Sequence, residues 1–194
     1  MNGYHPLLPE DLRYIRAHFV PLEAVCAERV EDLRCHVRAR RIPAATYVLD
    51  DGTGMYPPDY LTLIDDAGGI DGLRGHFIDR YRRAAGPGVT DAELIQEWEG
   101  YLTGEYGACL RRVTPENIYE KETLVRSLTS LLGAPRTEDS AWCARLRREV
   151  SRLDELVRAF APCDRKRFGG PVSRDRLITD PRARYPWILQ SPGG

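Results

Sequence analysis

Apolar residues recur every three or four positions near the end of the chain. The series is Trp142, Leu146, Val150, Leu153, Val157 and Phe160. This spacing forms one apolar stripe on a helix, whereas a half-buried strand would alternate apolar and polar residues. Similar stripes occur in residues 90–102 and 114–132. The second half of the chain is therefore predicted to be all-helical.

Helix-start signals support this pattern. Thr90 is a predicted N-cap, Thr114-Pro115-Glu116 is a typical helix start, and Asp139 or Ser140 can cap the last long helix. In the first half, helices are predicted from residue 9, from residue 21, and over residues 31–41, 57–66 and 70–84.

One segment, "TYVLDDGTGMY", predicts a β-hairpin with its turn at Asp51-Gly52. The predicted fold class is mainly α, with one small hairpin. We predict a winged-helix-like head (1–66) packed on an α-helical body (67–161). A basic, irregular tail (162–194) is predicted to wrap the domain, with Phe168, Ile178, Tyr185 and Trp187 as its anchors.

Residues 21–64 resemble the DNA-binding head of MerR-type regulators and excisionases. The matching segments are "LEAVCAER", "EDLRCHVRARR" and the wing "YVLDDGTGMY". The resemblance implies that the second helix enters the major groove and the wing contacts phosphates. However, Glu31 and Asp32 begin that helix and Asp50-Asp51 form the wing tip, where a polyanion would be repelled. DNA is therefore not the expected partner.

Charge is unevenly distributed along the chain. Residues 1–66 contain 7 Arg against 11 acids, residues 67–141 contain 9 basic against 12 acidic residues, and residues 142–194 contain 12 against 6. The net charges are thus −4, −3 and +6. No apolar run is long enough to cross a membrane, and no signal peptide is expected. Five cysteines without a CxxC pair indicate reduced thiols, so a cytoplasmic location is expected.

The basic C-terminal region predicts an anion site. Arg165 and Arg167 precede Gly169-Gly170, and Arg174 and Arg176 follow closely. Arginine suits bidentate contacts to phosphate or carboxylate, and a glycine pair lets backbone amides approach an anion. The alternative is that these arginines pair with Asp164, Asp175, Asp180 and the acidic front half.

Cys109 is a candidate reactive thiol because Arg111-Arg112 follow it and a guanidinium would favour the thiolate. Its catalytic use would need a base such as His76, and the alternative is a buried structural cysteine. The four histidines include no i, i+4 pair and no HExxH motif, so no metal site is predicted. No cofactor is predicted either.

Three segments together resemble a family of small actinobacterial proteins described as natural-product biosynthesis proteins of unknown function. They are "YVLDDGTGMYPPDY", "WEGYLTGEYGACLRRVTPENIYEKETLV" and "FAPCDRKRFGGPVSRDRLI". The resemblance implies a small enzyme or an accessory factor of biosynthesis. Together with the basic C-terminal region, it predicts a protein that binds an anionic small molecule or a carrier-tethered intermediate through the C-terminal arginines. The alternative is a MerR-like transcriptional regulator whose helical half senses a ligand or forms a homodimer. Whether the chain is an enzyme is left open.

Overall fold

The computed structural model describes residues 6–189. In that range the α-helices are α1 (Pro9–His18), α2 (Leu22–Val25), α3 (Val30–Arg38), α4 (Thr62–Asp66), α5 (Ile70–Ala85), α6 (Asp91–Leu102), α7 (Tyr106–Cys109), α8 (Pro115–Gly133), α9 (Ser140–Leu156), α10 (Asp164–Arg167), α11 (Asp180–Arg184) and α12 (Pro186–Leu189). A 3₁₀ turn (Ala27–Arg29) precedes α3, and a π-helical turn (Asp175–Thr179) precedes α11. The strands are β1 (Val20–Pro21), β2 (Tyr47–Val48) and β3 (Gly54–Tyr56). The predicted mainly α class with a small hairpin is confirmed.

The long helices begin at the predicted caps. Thr90 Oγ1 accepts a hydrogen bond from the Glu93 amide at 3.2 Å, and the Glu93 carboxylate accepts one from the Thr90 amide at 2.8 Å. This reciprocal capping box satisfies two amides that lack helical partners. The Thr114 hydroxyl caps α8 by accepting from the Asn117 amide, and the Asp139 carboxylate caps α9 by accepting from the Ala141 and Trp142 amides. These starts are set by contacts within a few residues of each helix end.

The predicted hairpin is present, and a third strand joins it. β2 and β3 pair in antiparallel register, with Tyr47 opposite Met55, and Gly52 takes a positive φ of 85° in the connecting turn. β1 pairs with the other edge of β3, with Val20 opposite Tyr56. The strand order is therefore β1-β3-β2.

Several predicted element ends differ from the structure. α3 ends at Arg38 rather than Arg41, and Arg40 takes a positive φ of 53°. Residues 57–61 form turns, so α4 starts only at Thr62. α9 stops at Leu156 rather than running to Phe160, because Val157 is extended and pairs with Leu110 in an isolated β-bridge.

The tail is more regular than predicted. α10, the π-helical turn, α11 and α12 occupy most of residues 164–189. Ile178 and Tyr185 are buried, as expected for anchors. The prediction is wrong for Phe168 and Trp187, which are 44% and 67% exposed. The Trp187 ring packs edge-on against Tyr185, with ring centroids 5.9 Å apart, and Phe168 lies beside the Arg167 guanidinium.

The main hydrophobic core includes residues from all three predicted regions. Leu33 and Ile64 from the front, Leu73 and Leu146 from the helical body, and Ile178 from the tail belong to one buried cluster. A second cluster packs α1 and the sheet against Ala108 and Ala161. Among residues 6–189, no helix is both long enough and apolar enough to cross a membrane. The predicted boundaries at residues 66 and 161 stay predictions.

Candidate functional site

Four arginines from three separate parts of the chain line one cleft of about 570 Å³. They are Arg111 and Arg112 from the loop between α7 and α8, Arg158 just after α9, and Arg174 just before the π-helical turn. Tyr14 and His18 of α1 and Asp59 of the turn before α4 complete its polar lining. We call this site the arginine cleft. Its volume lies within the range of about 300–1,000 Å³ that is typical of ligand sites.

Arg158 is held rigidly in the cleft by backbone oxygens. Its guanidinium donates to the carbonyls of Leu110 at 2.9 Å, Arg111 at 3.0 Å and His18 at 3.4 Å. The same group lies over the Phe19 ring, 4.9 Å from its centroid. These partners are neutral, and no carboxylate of the described residues pairs with Arg158. Its position is therefore fixed while its positive charge is left uncompensated.

The loop that bears Arg111 and Arg112 is attached to the end of α9. The Arg111 amide donates to the Leu156 carbonyl at 3.1 Å, and the Arg158 amide donates to the Cys109 carbonyl at 2.8 Å. Both arginine side chains are exposed, and neither makes a hydrogen bond or ion pair with any residue in 6–189. The loop backbone is thus held while the two side chains are free to close on a ligand.

Arg174 is positioned by a carboxylate on α9. Its Nη2 lies 2.5 Å from Oδ1 of Asp154, whose other oxygen accepts from Arg182 at 2.8 Å. Burial alone would raise the pKa of Asp154, but the hydrogen bond from Arg182 and the adjacent Arg174 guanidinium hold that pKa below its ordinary value. Nη1 of Arg174 is buried and has no hydrogen-bond partner among the described residues. One donor of this arginine is therefore unsatisfied.

The charges in the cleft favour an anion. Its lining contains four arginines and one carboxylate, that of Asp59, a net of +3 when His18 is counted as neutral. Tyr14 donates its hydroxyl hydrogen to the Ala159 carbonyl. Burial raises the pKa of the Tyr14 hydroxyl to about 12, although the charge of Arg158 acts in the opposite direction. Tyr14 therefore adds no negative charge to the cleft near neutral pH.

The four arginines predicted from the sequence have different surroundings. Arg174 lines the arginine cleft. Arg165 makes a bidentate pair with Asp175, at 2.8 and 2.6 Å. Arg167 donates to the Thr46 carbonyl at 2.9 Å and pairs with Glu105 at 3.4 Å. Arg176 is exposed, with no hydrogen bond or ion pair from its side chain to residues 6–189. Anion binding by Arg165, Arg167 and Arg176 stays a prediction.

The glycine pair does not offer its amides to an anion. The Gly170 amide donates to the Arg165 carbonyl at 2.7 Å, and the Gly169 amide donates to the Lys166 carbonyl at 3.3 Å. Both glycines have a positive φ. This is the arrangement expected at a helix C-terminus, where such amides satisfy the last carbonyls. The expectation that these amides approach an anion is therefore wrong for this conformation.

Cys109 is buried at the end of α7, and its thiol donates to the Tyr106 carbonyl at 3.4 Å. His76 instead lies beside Arg80 on α5, with 3.4 Å between their nitrogens. Within the described residues, the two side chains share no hydrogen bond, and a reactive role for Cys109 stays a prediction. Among residues 6–189, no group of three His, Cys, Asp or Glu residues is placed to hold a metal ion.

Sequence reasoning missed Arg158 and the use of Arg111 and Arg112 as cleft residues. The doublet Arg111-Arg112 is a visible signal in the sequence, but its closeness to Cys109 favours an effect on the thiol. Arg158 lies one residue after Val157 in an apparently continuous helical pattern. Because the helix ends at Leu156, Arg158 turns toward α1 instead of following the helix surface.

The comparisons with known proteins identify a family but no activity. Residues 74–186 match a family described as a family of unknown function (DUF6058). The matched range includes all four arginines of the cleft. No curated protein and no solved structure matches the chain. Since the match covers more than half of the chain, the protein belongs to the DUF6058 family, a family of unknown function.

Proposed function

We propose that this protein binds an anionic small molecule, with a phosphate or carboxylate group, in the arginine cleft. The supporting observation is the collection of four arginines in one cleft, three of which have no carboxylate partner among residues 6–189. Guanidinium groups left without counter-charges are costly to gather, because like charges repel one another. A bound anion would remove that repulsion.

The arrangement of the arginines suits an anion with several oxygens that accept hydrogen bonds. Arg158 and Arg174 are held in place by their own partners, whereas Arg111 and Arg112 are free to move. Fixed donors reduce the entropy lost on binding, and each guanidinium can donate two parallel hydrogen bonds to phosphate or carboxylate oxygens. Two fixed and two mobile cations thus favour a ligand with at least two anionic oxygens.

The wider role that we propose is natural-product biosynthesis in an actinobacterium. Its support is the resemblance of the three segments given above, and the cleft supplies the anion-binding part of that role. The proposal covers two forms, a small enzyme and an accessory factor that holds a carrier-tethered intermediate. Partners in either form are the anionic small molecule or the carrier protein, and a homodimer and a cytoplasmic location belong to the same proposal.

A direct test is calorimetric titration of the full chain with inorganic pyrophosphate. The double variant Arg111→Gln, Arg112→Gln removes the two mobile cations without disturbing the core. A charged hydrogen bond contributes about 1.5–3 kcal/mol, so each arginine that binds the anion should account for about tenfold or more in affinity. The affinity should also fall as salt concentration rises.

The matched control is the double variant Arg136→Gln, Arg148→Gln. Both side chains are exposed and make no hydrogen bond or ion pair with the described residues, so the net charge changes equally away from the cleft. The control should bind pyrophosphate as the wild type does. The proposal is wrong if the wild type binds no phosphate or carboxylate ligand, or if both double variants lose affinity equally.

The alternative function, a DNA-binding regulator, has no specific observation in its favour. Glu31 and Asp32 lie in the first turn of α3, where they pair with Arg34 and Arg29 at 2.5 and 3.3 Å. A regulator would bind duplex DNA in a salt-sensitive manner and lose that binding in Arg38→Glu. Fluorescence anisotropy with labelled duplex DNA should show no such binding.

A further inference from the structure

The wall of the arginine cleft that α1 contributes contains two aromatic rings. Tyr14 and His18 are four residues apart and therefore lie on the same face of the helix. Their ring centroids are 4.5 Å apart with an interplanar angle of 51°. The hydrogen bond from the Tyr14 hydroxyl to Ala159 fixes the tyrosine ring in that wall. A ligand in the cleft thus has ring surface as well as cations within reach.

Asp59 gives the cleft one hydrogen-bond acceptor among its cations. Its carboxylate is half-buried and has no hydrogen bond or ion pair with any residue in 6–189. An ionised carboxylate can only accept hydrogen bonds, and it would repel the anionic part of a ligand. A hydroxyl or amino group of the ligand would satisfy it. Asp59 therefore favours a ligand that has donors at a distance from its anionic group.

The aromatic wall and Asp59 are two features that a simple inorganic anion does not require. Pyrophosphate could use the arginines, but it has no ring for Tyr14 and His18 and no donor for Asp59. We propose that the ligand is an organic phosphate of the nucleoside phosphate class. Its phosphate contacts the arginines, its planar base lies against the Tyr14–His18 rings, and a hydroxyl or amino group donates to Asp59. This inference rests on the proposed function.

Calorimetric titration with four probes separates the contribution of the phosphate to the binding affinity from that of the base. The probes are inorganic pyrophosphate, ribose phosphate, adenosine and adenosine monophosphate. Stacking of a base on an aromatic side chain should make adenosine monophosphate bind about tenfold tighter than ribose phosphate. Adenosine, which has no phosphate, should bind more weakly than either.

The variant Tyr14→Leu tests the ring surface directly. It should weaken the binding of adenosine monophosphate and leave pyrophosphate binding unchanged. Tyr14→Phe is the matched control, since it keeps the ring and removes only the hydroxyl, and it should retain most of the preference for the nucleotide. If Tyr14→Leu does not fold, His18→Leu replaces it, because the His18 side chain is exposed.

The outcomes distinguish this inference from the proposed function. If ribose phosphate binds as tightly as adenosine monophosphate, and both depend on Arg111 and Arg112, the anion site stands and the nucleoside inference is wrong. The same conclusion follows if Tyr14→Leu weakens nucleotide and pyrophosphate binding equally. If no phosphate probe binds, or binding does not depend on the arginines, both proposals fail.

Discussion

Gly107 of α7 lies close to the residues that flank the hairpin. A Cβ atom at this position would lie 2.2 Å from Thr46 Oγ1 and 3.0 Å from the Pro57 ring. Gly104 has a positive φ of 75° and would place a Cβ 2.1 Å from the Ala44 carbonyl oxygen. The Thr46 hydroxyl also donates to the Gly104 carbonyl at 2.9 Å. This contact brings residues 44–46 and 104–107 together, and only glycine fits.

We predict that Gly107→Ala destabilises the protein. The added methyl group must displace Thr46 or the backbone, and overpacking of this kind costs about 1–3 kcal/mol. Gly75→Ala is the control, because a Cβ at Gly75 meets no atom within 4 Å and the residue lies inside α5. It should stabilise the helix by about 0.5–1 kcal/mol. Urea unfolding measures both changes, and equal stability of Gly107→Ala and wild type would contradict the prediction.

Asp164 is fully buried, and its ionisation should affect stability. Tyr47 and the Ala161 amide donate to Oδ2 at 2.8 and 2.9 Å, while the Arg167 guanidinium lies 4.0 Å from Oδ1. Burial raises the pKa of this carboxyl above its ordinary value, despite the hydrogen bond from Tyr47 and the charge of Arg167. The folded chain then holds a proton that the unfolded chain has already released.

The contribution of Asp164 to the free energy of unfolding therefore falls as pH rises from about 4 through its raised pKa. In Asp164→Asn this contribution is absent, so the stability of the variant relative to wild type should increase over that interval. In Tyr47→Phe the pKa of Asp164 should rise further, which extends the loss to higher pH. Urea unfolding across the acid range checks both, and parallel pH curves for Asp164→Asn and wild type would overturn the prediction.

The contribution of Asp154 to stability has the opposite pH dependence to that of Asp164, and its ion pairs join separate elements. It connects α9 to the residue before the π-helical turn and to α11 through Arg174 and Arg182. Since its pKa is lowered in the folded state, its stabilisation is present above the ordinary aspartate pKa of about 4 and is lost as pH falls through the folded value. The pair is partly exposed to solvent, so we expect about 1 kcal/mol or less from it.

Asp154→Asn should accordingly lower the thermal midpoint at neutral pH, and the difference from wild type should shrink in acid. The neighbouring variant Glu155→Gln is the control. Within residues 6–189, Glu155 forms its ion pair with the exposed Arg152 of the same helix, at 3.2 Å, so this pair does not join two elements. A difference between Asp154→Asn and wild type that stays constant down to low pH would show that the charge of Asp154 is not what holds α9 to α11.

Elements whose ends are set by residues nearby in the sequence could be predicted from the sequence. Thr90 and Thr114 cap their helices through amides three residues away, so the starts of α6 and α8 were predicted correctly. β1 was not predictable in this way. Val20 and Pro21 become a strand only because they pair with Tyr56 and Met55, more than thirty residues later. The end of α9 likewise depends on the bridge to Leu110.

The candidate site could be predicted only in part, because it also depends on contacts between residues that are far apart in the sequence. A cluster of arginines near the end of the chain is visible in the sequence, and it includes Arg174. Which arginines meet in one cleft depends on contacts that no local pattern reports. Arg165 meets Asp175 and is paired, whereas Arg158 meets the carbonyl oxygen of His18 and keeps its charge available.

The whole molecule is held by a core that crosses the predicted boundary between head and body. Leu33 and Ile64 belong to the same buried cluster as Leu73 and Leu146. We predict that a fragment of residues 67–194 exposes this surface and does not unfold cooperatively when circular dichroism is followed on heating. Co-expression with residues 1–66 should restore cooperative unfolding. A sharp transition for the fragment alone would establish the helical body as an independent domain.

The attachment of Arg158 to α1 also has a consequence for the kinetics of folding. Its hydrogen bond to the His18 carbonyl joins residues 140 positions apart, and the Tyr14–Ala159 bond joins residues 145 apart. Contacts of such long sequence separation are slow to form, because a large loop must close before they stabilise anything. We therefore expect the cleft to form late in folding, after the transition state. A ligand in the cleft would leave the rate of folding unchanged and would slow unfolding, so that it extends the lifetime of the native chain.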